Sequence, residues 1–532
     1  MNEPENTSRC QGCLNCFRFL PVHISREIVN LCSLALPVFL SYLFDYLIIF
    51  VSTVFCGHLG KVELDGVTLA TAVISVMGIG IGYGLSAACD TLISQAFGAG
   101  NLHLVGLITQ KAILILLLAC LPCCAFLINT ESILLLVGQS PEVARVSQLY
   151  VNIFLPGLPA AFVFIIEAKY LQNQGIIWPL VITGVVANLL NALINYIFLF
   201  VLDLGVPGSA AANTISQYSL AIILFIYIRC MGLHKNTWPG WSMDCLQEWD
   251  SFIHLAIPSM LMMCAEWWTY EIGGLLSGLI SEVELGAQSV VYGLANIAYM
   301  FPIGFSVAGN VRVGNAMGAG DVAQAKLSAK LSMICAVVLA TTLHMVIQEE
   351  NINDYFFLQT NQAASGSIVK ALGKQKIGAV CNLVGYYAVG FPIGISLMFA
   401  AKWGIFGLWT GLFISVFLQS VFLIALLLKL NWKKASEEVR NIGFPSIKSR
   451  FSVLIRVIFL TGAHEDGGYI EGCDANNTTD MDGVVIEETE TLVATVRVQL
   501  PLSVLVLRRG LALATMLALL AAGLSVRFFL KR

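Results

Sequence analysis

Two glutamates, Glu266 and Glu271, stand in an otherwise apolar stretch from residue 252 to residue 278. In a helix, which turns about 100° per residue, these acids lie about 140° apart and do not share a face. Tyr270 then lies one turn from Glu266 and can donate a hydrogen bond to it, while Trp267 lies one turn from Glu271. Carboxylates beside aromatic rings suit an organic cation, because the acid supplies charge and the rings supply cation–π attraction. Burial also favours the neutral form of a carboxyl, so protons and cations are expected to compete here.

The composition places this stretch in a membrane. Of the 532 residues, 57% are hydrophobic and 12% are charged, whereas soluble proteins carry about 25% charged residues. A helix needs about 20 mostly apolar residues to span a bilayer. Twelve such stretches predict twelve spanning helices, at residues 30–52, 67–90, 109–129, 148–170, 177–200, 209–230, 252–278, 286–309, 327–347, 377–400, 404–430 and 503–530. The net charge of −4 is too small to indicate a nucleic acid partner.

The basic residues predict which helix ends face the cytoplasm. Most of the basic residues at or near the ends of the apolar stretches fall at one set of ends: Arg9, Arg18, Arg26, Lys111, Lys169, Arg229, Lys235, Arg312, Lys326 and Lys330. The opposite ends hold little beyond Lys61, Arg145 and Lys402. The positive-inside rule therefore predicts a cytoplasmic N-terminal segment at 1–27. The polar stretch 431–502 is predicted as a cytoplasmic, largely disordered loop, followed by a last membrane helix within 503–532.

An internal repeat divides the chain into two lobes. When the chain is shifted along itself so that Pro37 falls on Pro258, the motif Val62–Leu64 falls on Val283–Leu285. Each lobe, at 28–232 and 233–430, would contain six helices, and an even number returns the chain to its starting side. Such parallel repeats are related by an axis along the membrane normal. The sequence thus predicts an all-α polytopic membrane protein, with two similar lobes around a central cavity and an extra C-terminal helix.

The second lobe is shorter than the first. Gly98 pairs with Gly318, but later in the chain Gly205 pairs with Gly404, so the offset between the lobes has decreased. The decrease matches the length of one spanning helix, about 20 residues, and the stretch 348–369 at that place is largely polar. The sequence therefore predicts that helix 10 is missing. The lysines that follow would then lie outside unless the later topology inverts; they are Lys370, Lys374 and Lys376.

Five motifs resemble those of vertebrate multidrug and toxin extrusion (MATE) proteins. They are FCGHLGKVEL (Phe55–Leu64), CDTLISQAFGAGN (Cys89–Asn101), KYLQNQG (Lys169–Gly175), EWWTYE (Glu266–Glu271) and VRVGNAMGAGD (Val311–Asp321). The similarity covers about residues 28–430 and the C-terminal helix. It implies the MATE fold and export of organic cations and drugs in exchange for protons, by alternating access in the plasma membrane. It further implies a secondary active transporter, not an enzyme, with no cofactor besides the coupling proton.

The resemblance also implies roles for particular residues. Glu266 and Glu271 both match the family's cation-binding acids. Where members carry VYELA, this chain has VYGLA (Val291–Ala295), so one family glutamate is absent, and another would sit on the missing helix. We include Tyr292 of this motif in the predicted binding set, together with Cys56 of the FCGHLG motif at an entrance.

The repeat adds one acid to this set. The shift that pairs the two prolines also pairs Asp45 with Glu266, so each lobe has a carboxylate eight residues after the matching proline. We hypothesise that Asp45 partly supplies the chemistry lost from the second lobe; a plain polar contact is the alternative. Asn188, Asn191 and Asn195 lie on one helix face and either join helices or line the cavity. Four polar residues near cytoplasmic helix ends are predicted to cap or gate: Asp90, Gln95, Asn310 and Asn315.

Other functions fit the sequence less well than antiport. A flippase of the same superfamily would usually carry several Arg or Lys within its spans, which this sequence lacks. A transport-defective isoform would follow from the missing helix. An enzyme is disfavoured because no nucleophile–His–acid set, P-loop or HExxH pattern occurs. Cys10, Cys13 and Cys16 resemble half a zinc site but lack a fourth ligand, so no metal is predicted.

Overall fold

The computed structural model describes residues 21–278, 280–346, 350–443 and 501–530. The first lobe contains α1 (Val22–Cys56), α2 (Lys61–Gly98), α3 (Leu102–Leu127), α4 (Thr130–Leu136), α5 (Pro141–Phe154), α6 (Gly157–Gln172), α7 (Trp178–Val201) and α8 (Gly205–Cys230). The second lobe contains α9 (Trp249–Gly278), α10 (Glu282–Gly318), α11 (Val322–Val346), α12 (Glu350–Ala371), α13 (Gln375–Ala400) and α14 (Ile405–Lys429). A short helix α15 (Trp432–Gly443) and a last helix α16 (Leu502–Leu530) follow.

Helices cover all twelve stretches that the sequence predicted to span the membrane. Nine of the described helices are long and apolar enough to cross it, or ten if α5 and α6 count as one span. These two are bent by 60° at Pro156, which precedes α6. Two predictions lie outside the described residues: the cysteine run at Cys10, Cys13 and Cys16, and the disorder of 444–500.

The backbone repeats between the lobes at the offset found in the sequence. Asp203 and Lys402, which the repeat pairs with each other, both have a positive φ, of 51° and 59°. Non-glycine residues rarely adopt this conformation. A π turn lies just before each of them, at Ile197–Val201 and at Ser396–Ala400. The two lobes therefore share local backbone geometry as well as helix order.

The prediction that the second lobe lacks a helix is wrong. Helix α12 packs against α10, α11 and α14, and it is the counterpart of α6 in the first lobe. Between α3 and α6 the first lobe also forms α4 and α5, whereas only a short connection separates α11 from α12. The absent residues therefore shorten this connection and leave α12 in place.

The polar composition of α12 has a physical reason. Its side chains from Gln359 to Ala371 are mostly buried against other helices. Gln362 Nε2, for example, donates to Gln419 Oε1 of α14 at 2.8 Å. A membrane helix enclosed by protein can satisfy its polar groups internally and needs no apolar surface towards lipid. Mean hydropathy measures how polar a segment is, and not whether other helices surround it. A prediction from hydropathy therefore did not identify this helix.

Lys370, at the end of α12, and Lys374 and Lys376, just after it, lie at the same end of the molecule as the start of α1. The prediction that they lie opposite to the other basic residues is therefore wrong. Lys374 Nζ lies 3.2 Å from Glu438 Oε2 of α15. Ala435 and Val439 of α15 are buried in a cluster with α10, α11 and α12. The predicted disorder of 431–502 is thus wrong for Trp432–Gly443, which forms an amphipathic helix on the second lobe.

The lobes meet at this end, which we call the base: the end where α1 begins and where α2 and α10 end. The repeat mates Gly98 and Gly318 allow α2 and α10 to cross in backbone contact. A Cβ atom at Gly98 would collide with the backbone of Asn315, and one at Gly318 with the backbone of Gln95. Glycine at both positions therefore makes this close crossing possible.

A buried carboxylate, Glu27 of α1, adds a polar link at the base. It accepts hydrogen bonds from Arg312 Nε (2.9 Å) and Nη2 (2.5 Å) of α10. Gln324 and Ser328 of α11 donate to it as well, at 2.7 Å and 2.6 Å. Bidentate arginine–carboxylate contacts are among the stronger hydrogen bonds in proteins. The first lobe is thus fastened at its entry helix to two helices of the second lobe.

Candidate functional site

Glu266 lies within the second lobe, where α9 meets α10 and α12. Tyr299 of α10 donates to Glu266 Oε1 at 3.1 Å, and Gln359 of α12 also bonds the carboxylate. The amide of Gln359 donates to the hydroxyl of Tyr270 at 2.8 Å. The predicted pair, Tyr270 and Glu266, is therefore connected through a side chain of α12.

An aromatic cluster lies beside the second acid, Glu271. Tyr270 stacks on Tyr292 with ring centroids 5.4 Å apart, and the ring of Trp409 lies 6.4 Å from Tyr270. Glu271 and Glu266 are both charged neighbours of Tyr292. The arrangement brings two carboxyl groups to one set of rings, which suits a flat cationic ligand.

Asp45 lines a small cavity in the first lobe. Tyr83 of α2 donates to Asp45 Oδ2 at 3.4 Å. The cavity wall also includes Ser41, Tyr42, Lys169 and Gln172. Helices α2 and α10 are equivalent in the repeat. In each lobe, therefore, a tyrosine of this helix donates a hydrogen bond to the acid.

Trp267 brings the two lobes together near these acids. Its ring centroid lies 6.3 Å from that of Tyr83, which in turn contacts Asp45. It also faces Gly80 of α2, where an added Cβ atom would lie 3.2 Å from the Trp267 ring. The sequence placed Trp267 beside Glu271; the structure adds its contact with the other lobe.

A buried ion pair joins α2 to α6 at the edge of the Asp45 cavity. Lys169 Nζ lies 2.8 Å from Asp90 Oδ2, and their side chains are 7% and 16% exposed. Asn173 Nδ2 donates to Asp90 Oδ1 at 3.2 Å. Asp90, predicted to cap or gate, thus neutralises a lysine within the first lobe. Its neighbour Gln95 does bridge the lobes, donating to a carbonyl at the end of α12.

Two members of the predicted binding set, Cys56 and Asn188, have surroundings that differ from the prediction. Cys56 is completely buried, so the prediction that it lines an entrance is wrong. Asn188 Nδ2 donates to the carbonyl oxygen of Phe44 in α1 at 2.8 Å. Asn191 Nδ2 donates to Asn213 Oδ1 of α8 at 3.0 Å. Of the two alternatives for these asparagines, the geometry supports the joining of helices.

Three residues that contact the acids left no sign in the sequence: Tyr83, Tyr299 and Gln359. The two tyrosines lie 38 and 33 residues from their acids. Such separations are set by the lengths of helices and loops, so no helical period identifies the pairs. The presence of α12, which carries Gln359, could have been found only from its burial.

The side chains that hydrogen-bond Glu266 and Asp45 are hydroxyl and amide groups. Within the described part of the chain, no three His, Cys, Asp or Glu side chains are arranged to hold a metal ion. The acids can accept a proton or attract a cation, and the hydroxyl and amide donors can stabilise the ionised form. The site thus has the components for reversible binding of positive charge.

Comparison of the sequence and the fold with known proteins identifies the family of this chain. The MatE family model matches residues 37–197 and 258–349. The chain is 55% identical to multidrug and toxin extrusion protein 1 of Danio rerio, over 98% of this chain and 94% of that protein. It is 45% identical to the human protein of that name, over 99% and 97%. Its structure is similar to that of the eukaryotic MATE transporter AtDTX14, with a TM-score of 0.77, 26% identity, and coverage of 79% and 100%. The sequence identity to these relatives over nearly their full length, together with the two-lobe fold, shows that this chain belongs to the multidrug and toxin extrusion family of membrane transporters.

Proposed function

We propose that this transporter exports organic cations from the cell in exchange for protons, in the plasma membrane and with its N-terminus in the cytoplasm. The observation that carries the proposal is the setting of Glu266. This carboxyl group lies in a helix that the sequence predicts to span the membrane, with a tyrosine hydroxyl and an amide as partners, next to an aromatic cluster. The names of the relatives, which refer to multidrug and toxin extrusion, support drug-like substrates.

The exchange follows from competition for one charge. An ionised carboxyl inside the membrane is costly unless a proton neutralises it or a cation pairs with it. Either ligand satisfies Glu266, but both cannot do so together. Proton binding on one side of the membrane therefore releases the cation, and cation binding on the other side releases the proton.

The closed base supports alternating access. Two contacts hold the lobes together at the base. They are the close crossing of α2 and α10 and the Glu27–Arg312 ion pair. With the base at the cytoplasmic face, these contacts would block access to the acids from the cytoplasm. Rocking of the lobes about the shared axis would break these contacts and expose the same acids to the cytoplasm.

Uptake into membrane vesicles tests the proposal. Vesicles that contain the protein are given a fluorescent organic cation and an imposed pH gradient. Cation should accumulate on the acidic side and should leave when the gradient is collapsed. Uptake that ignores the pH gradient would contradict proton exchange, and uptake equal to that of empty vesicles would contradict transport.

Replacement of Asp45 by asparagine tests the acid of the first lobe. If Asp45 shares the proton and cation chemistry, Asp45→Asn should lower proton-driven uptake by about fivefold, which corresponds to about 1 kcal/mol, the scale of one ordinary hydrogen bond. The exposed Asp65, also in the first lobe, provides a control, because Asp65→Asn should have no effect. Unchanged proton-coupled uptake in Asp45→Asn would reject the role.

Gly293, at the family's glutamate position, allows the reverse change. A Cβ atom at Gly293 would meet no described atom within 4 Å, so the backbone there leaves room for the first atom of a side chain. Gly293→Glu should lower the KM for a cationic substrate by about fivefold, since one nearby charge adds about 1 kcal/mol of attraction. Gly293→Gln has the same size and no charge, so an equal effect of both variants would show that the added charge is not the cause.

The alternative of a transport-defective isoform loses its main support. It depended on the absence of helix 10, and α12 occupies that place. Gln359 of α12 contacts Glu266, so this helix also completes the surroundings of the acid. What remains different from the family pattern is the reduced number of acids, which the Asp45 and Gly293 experiments address.

A further inference from the structure

The first helix of each lobe crosses to the other lobe at the base. Leu31 and Ala35 of α1 are buried in a cluster with Ala308 of α10, in the second lobe. At the equivalent place in the other lobe, Trp249 and Phe252 of α9 are buried among the helices of the first lobe. Because the lobes separate at the base when they rock apart, both crossings must open.

The repeat does not reproduce the Glu27 contacts at the crossing of α9. It pairs Glu27 with Glu248, which is exposed and immediately precedes α9. Glu248 has a φ of 52°, a conformation that non-glycine residues rarely adopt, so the chain turns where α1 continues as a helix. The same repeat pairs Asn101 with Asp321, which cap α3 and α11. At that offset, the places of Arg312, Gln324 and Ser328 are occupied in the first lobe by the apolar residues Leu92, Leu104 and Ile108.

An arginine of the C-terminal helix, Arg509 of α16, provides polar contacts at the crossing of α9. Its Nε and Nη2 donate to the carbonyl oxygen of Leu246 at 3.1 Å and 3.0 Å. Its guanidinium carbon lies 4.1 Å from the centroid of a Trp249 ring, within the range of a cation–π contact. Trp249 Nε1 donates to the Cys245 carbonyl at 2.8 Å, which fixes the ring against the turn. Arg509 therefore contacts the chain on both sides of Glu248.

The rest of α16 is attached to the first lobe. The helix packs along α3, where a Cβ atom at Gly523 would lie 2.9 Å from the Cβ atom of Ala125. Asn129 Nδ2 donates to the Gly523 carbonyl at 2.9 Å. Near its other end from Arg509, Arg527 Nη1 donates to Asn152 Oδ1 of α5 at 3.2 Å. Helix α16 thus joins the start of the second lobe to the body of the first.

We propose that Arg509 is a positioning residue that holds the start of α9 against the first lobe, so that α16 provides a second latch on the closed base. When the lobes rock apart, α9 leaves the first lobe, and Trp249 then loses its contact with the guanidinium. Removal of this contact makes opening of the base less costly and therefore more frequent. The inference rests on the rocking of the lobes in the proposed function, and it gives the C-terminal helix a role in that motion.

Five substitutions test the latch. Arg509→Gln and Arg509→Ala remove the guanidinium, whereas Arg509→Lys keeps a positive charge and a donor. Arg508→Gln is the matched control for charge, because Arg508 is the exposed neighbour of Arg509 on the same helix. Arg527→Gln is the control for attachment of α16, because it removes a contact that lies entirely within the first lobe.

Opening of the base is measured by alkylation of Ser94→Cys, followed at that site by mass spectrometry, without substrate and without a pH gradient. Ser94 is buried and packs on Gly314 between α2 and α10, so its alkylation requires the base to open. Arg509→Gln and Arg509→Ala should increase the rate of alkylation by about fivefold, the effect of losing one hydrogen bond. Arg509→Lys should increase it less, because an ammonium can still donate to the Leu246 carbonyl and lie over the Trp249 ring. Both controls should match the unmodified protein.

Thermal unfolding in detergent shows whether each variant is folded at the temperature of the assay. A folded Arg509→Gln protein with an unchanged rate of alkylation would overturn the role of Arg509. An equal increase in Arg508→Gln or Arg527→Gln would assign the effect to the charge or the attachment of α16, and would overturn it as well. Failure of Arg509→Gln to fold would show a requirement in the fold itself, which also excludes the latch.

The same assay separates this inference from the proposed function. If a cation substrate under a pH gradient changes the alkylation of Ser94→Cys, and the Arg509 variants change nothing, the rocking of the lobes stands and only the latch is lost. If Ser94→Cys is not alkylated in any protein, even with substrate and gradient present, the base does not open. The proposed alternating access then fails, and the latch fails with it.

Discussion

Replacing Glu266 with glutamine is expected to reduce proton-driven cation uptake by about tenfold or more, a larger functional effect than that of either Asp45→Asn or Gly293→Glu. Hydrogen bonds to charged groups contribute about 1.5–3 kcal/mol, and each 1.4 kcal/mol is about a factor of ten. Glutamine keeps the size of the side chain and can still accept from Tyr299. It can neither release a proton nor pair with a cation, so the loss would report the missing charge.

The measurement is the initial rate of fluorescent cation uptake into vesicles, with and without an imposed pH gradient. Glu142 of α5 is exposed, so Glu142→Gln serves as a control for a neutralised acid outside the site. We expect the control to match the unmodified protein and Glu266→Gln to lose its response to the gradient. Equal responses in all three proteins would show that Glu266 does not carry the exchange.

Replacing Lys169 with methionine is expected to destabilise the protein by about 3–5 kcal/mol, the cost of breaking a buried ion pair on one side. Asp90 would be left with Asn173 as a partner and without its counter-charge. The first lobe should suffer most, because this pair joins α2 to α6 within it. Thermal unfolding in detergent, followed by intrinsic fluorescence, should show a clear fall in Tm.

Two further variants separate the buried charge from the lost side chain. The double variant Asp90→Asn/Lys169→Met removes both charges and should recover much of the stability, because no unpaired charge remains. Lys374→Met breaks a pair whose side chains are 26% and 47% exposed, and exposed pairs contribute about 0–1 kcal/mol. A similar small shift for Lys169→Met and Lys374→Met would contradict the interpretation of Lys169–Asp90 as a buried pair.

The acids and the repeat could be predicted because each leaves a mark in the sequence. An ionised carboxylate in an apolar membrane stretch costs free energy unless it faces a cavity or a partner. Glu266 and Glu271 therefore stand out in the sequence as candidate functional residues. The repeat offset then pairs Asp45 with Glu266, and the structure finds Asp45 in a cavity with a tyrosine partner. Composition and periodicity thus located the charged groups and the helices that carry them.

The partners of those acids could not be predicted, because contacts between distant helices leave no periodic mark. Tyr299 and Gln359 reach Glu266 from two other helices, at positions fixed by how the lobe packs. Cys56 shows a second kind of error. The sequence predicted that it lines an entrance, whereas the side chain is fully buried. Which face of a helix meets a neighbour is decided only when all of the helices are packed together.

The sequence by itself determined the membrane class, the two-lobe repeat and the helices that carry the carboxyl groups, because these follow from hydropathy and from residue order along one chain. Only the tertiary structure decided that α12 is present and that its last residues contact the first lobe. The physical reason is enclosure. A polar segment surrounded by protein is stable in a membrane, whereas the same segment facing lipid is not, and a linear sequence does not state which of the two surrounds it.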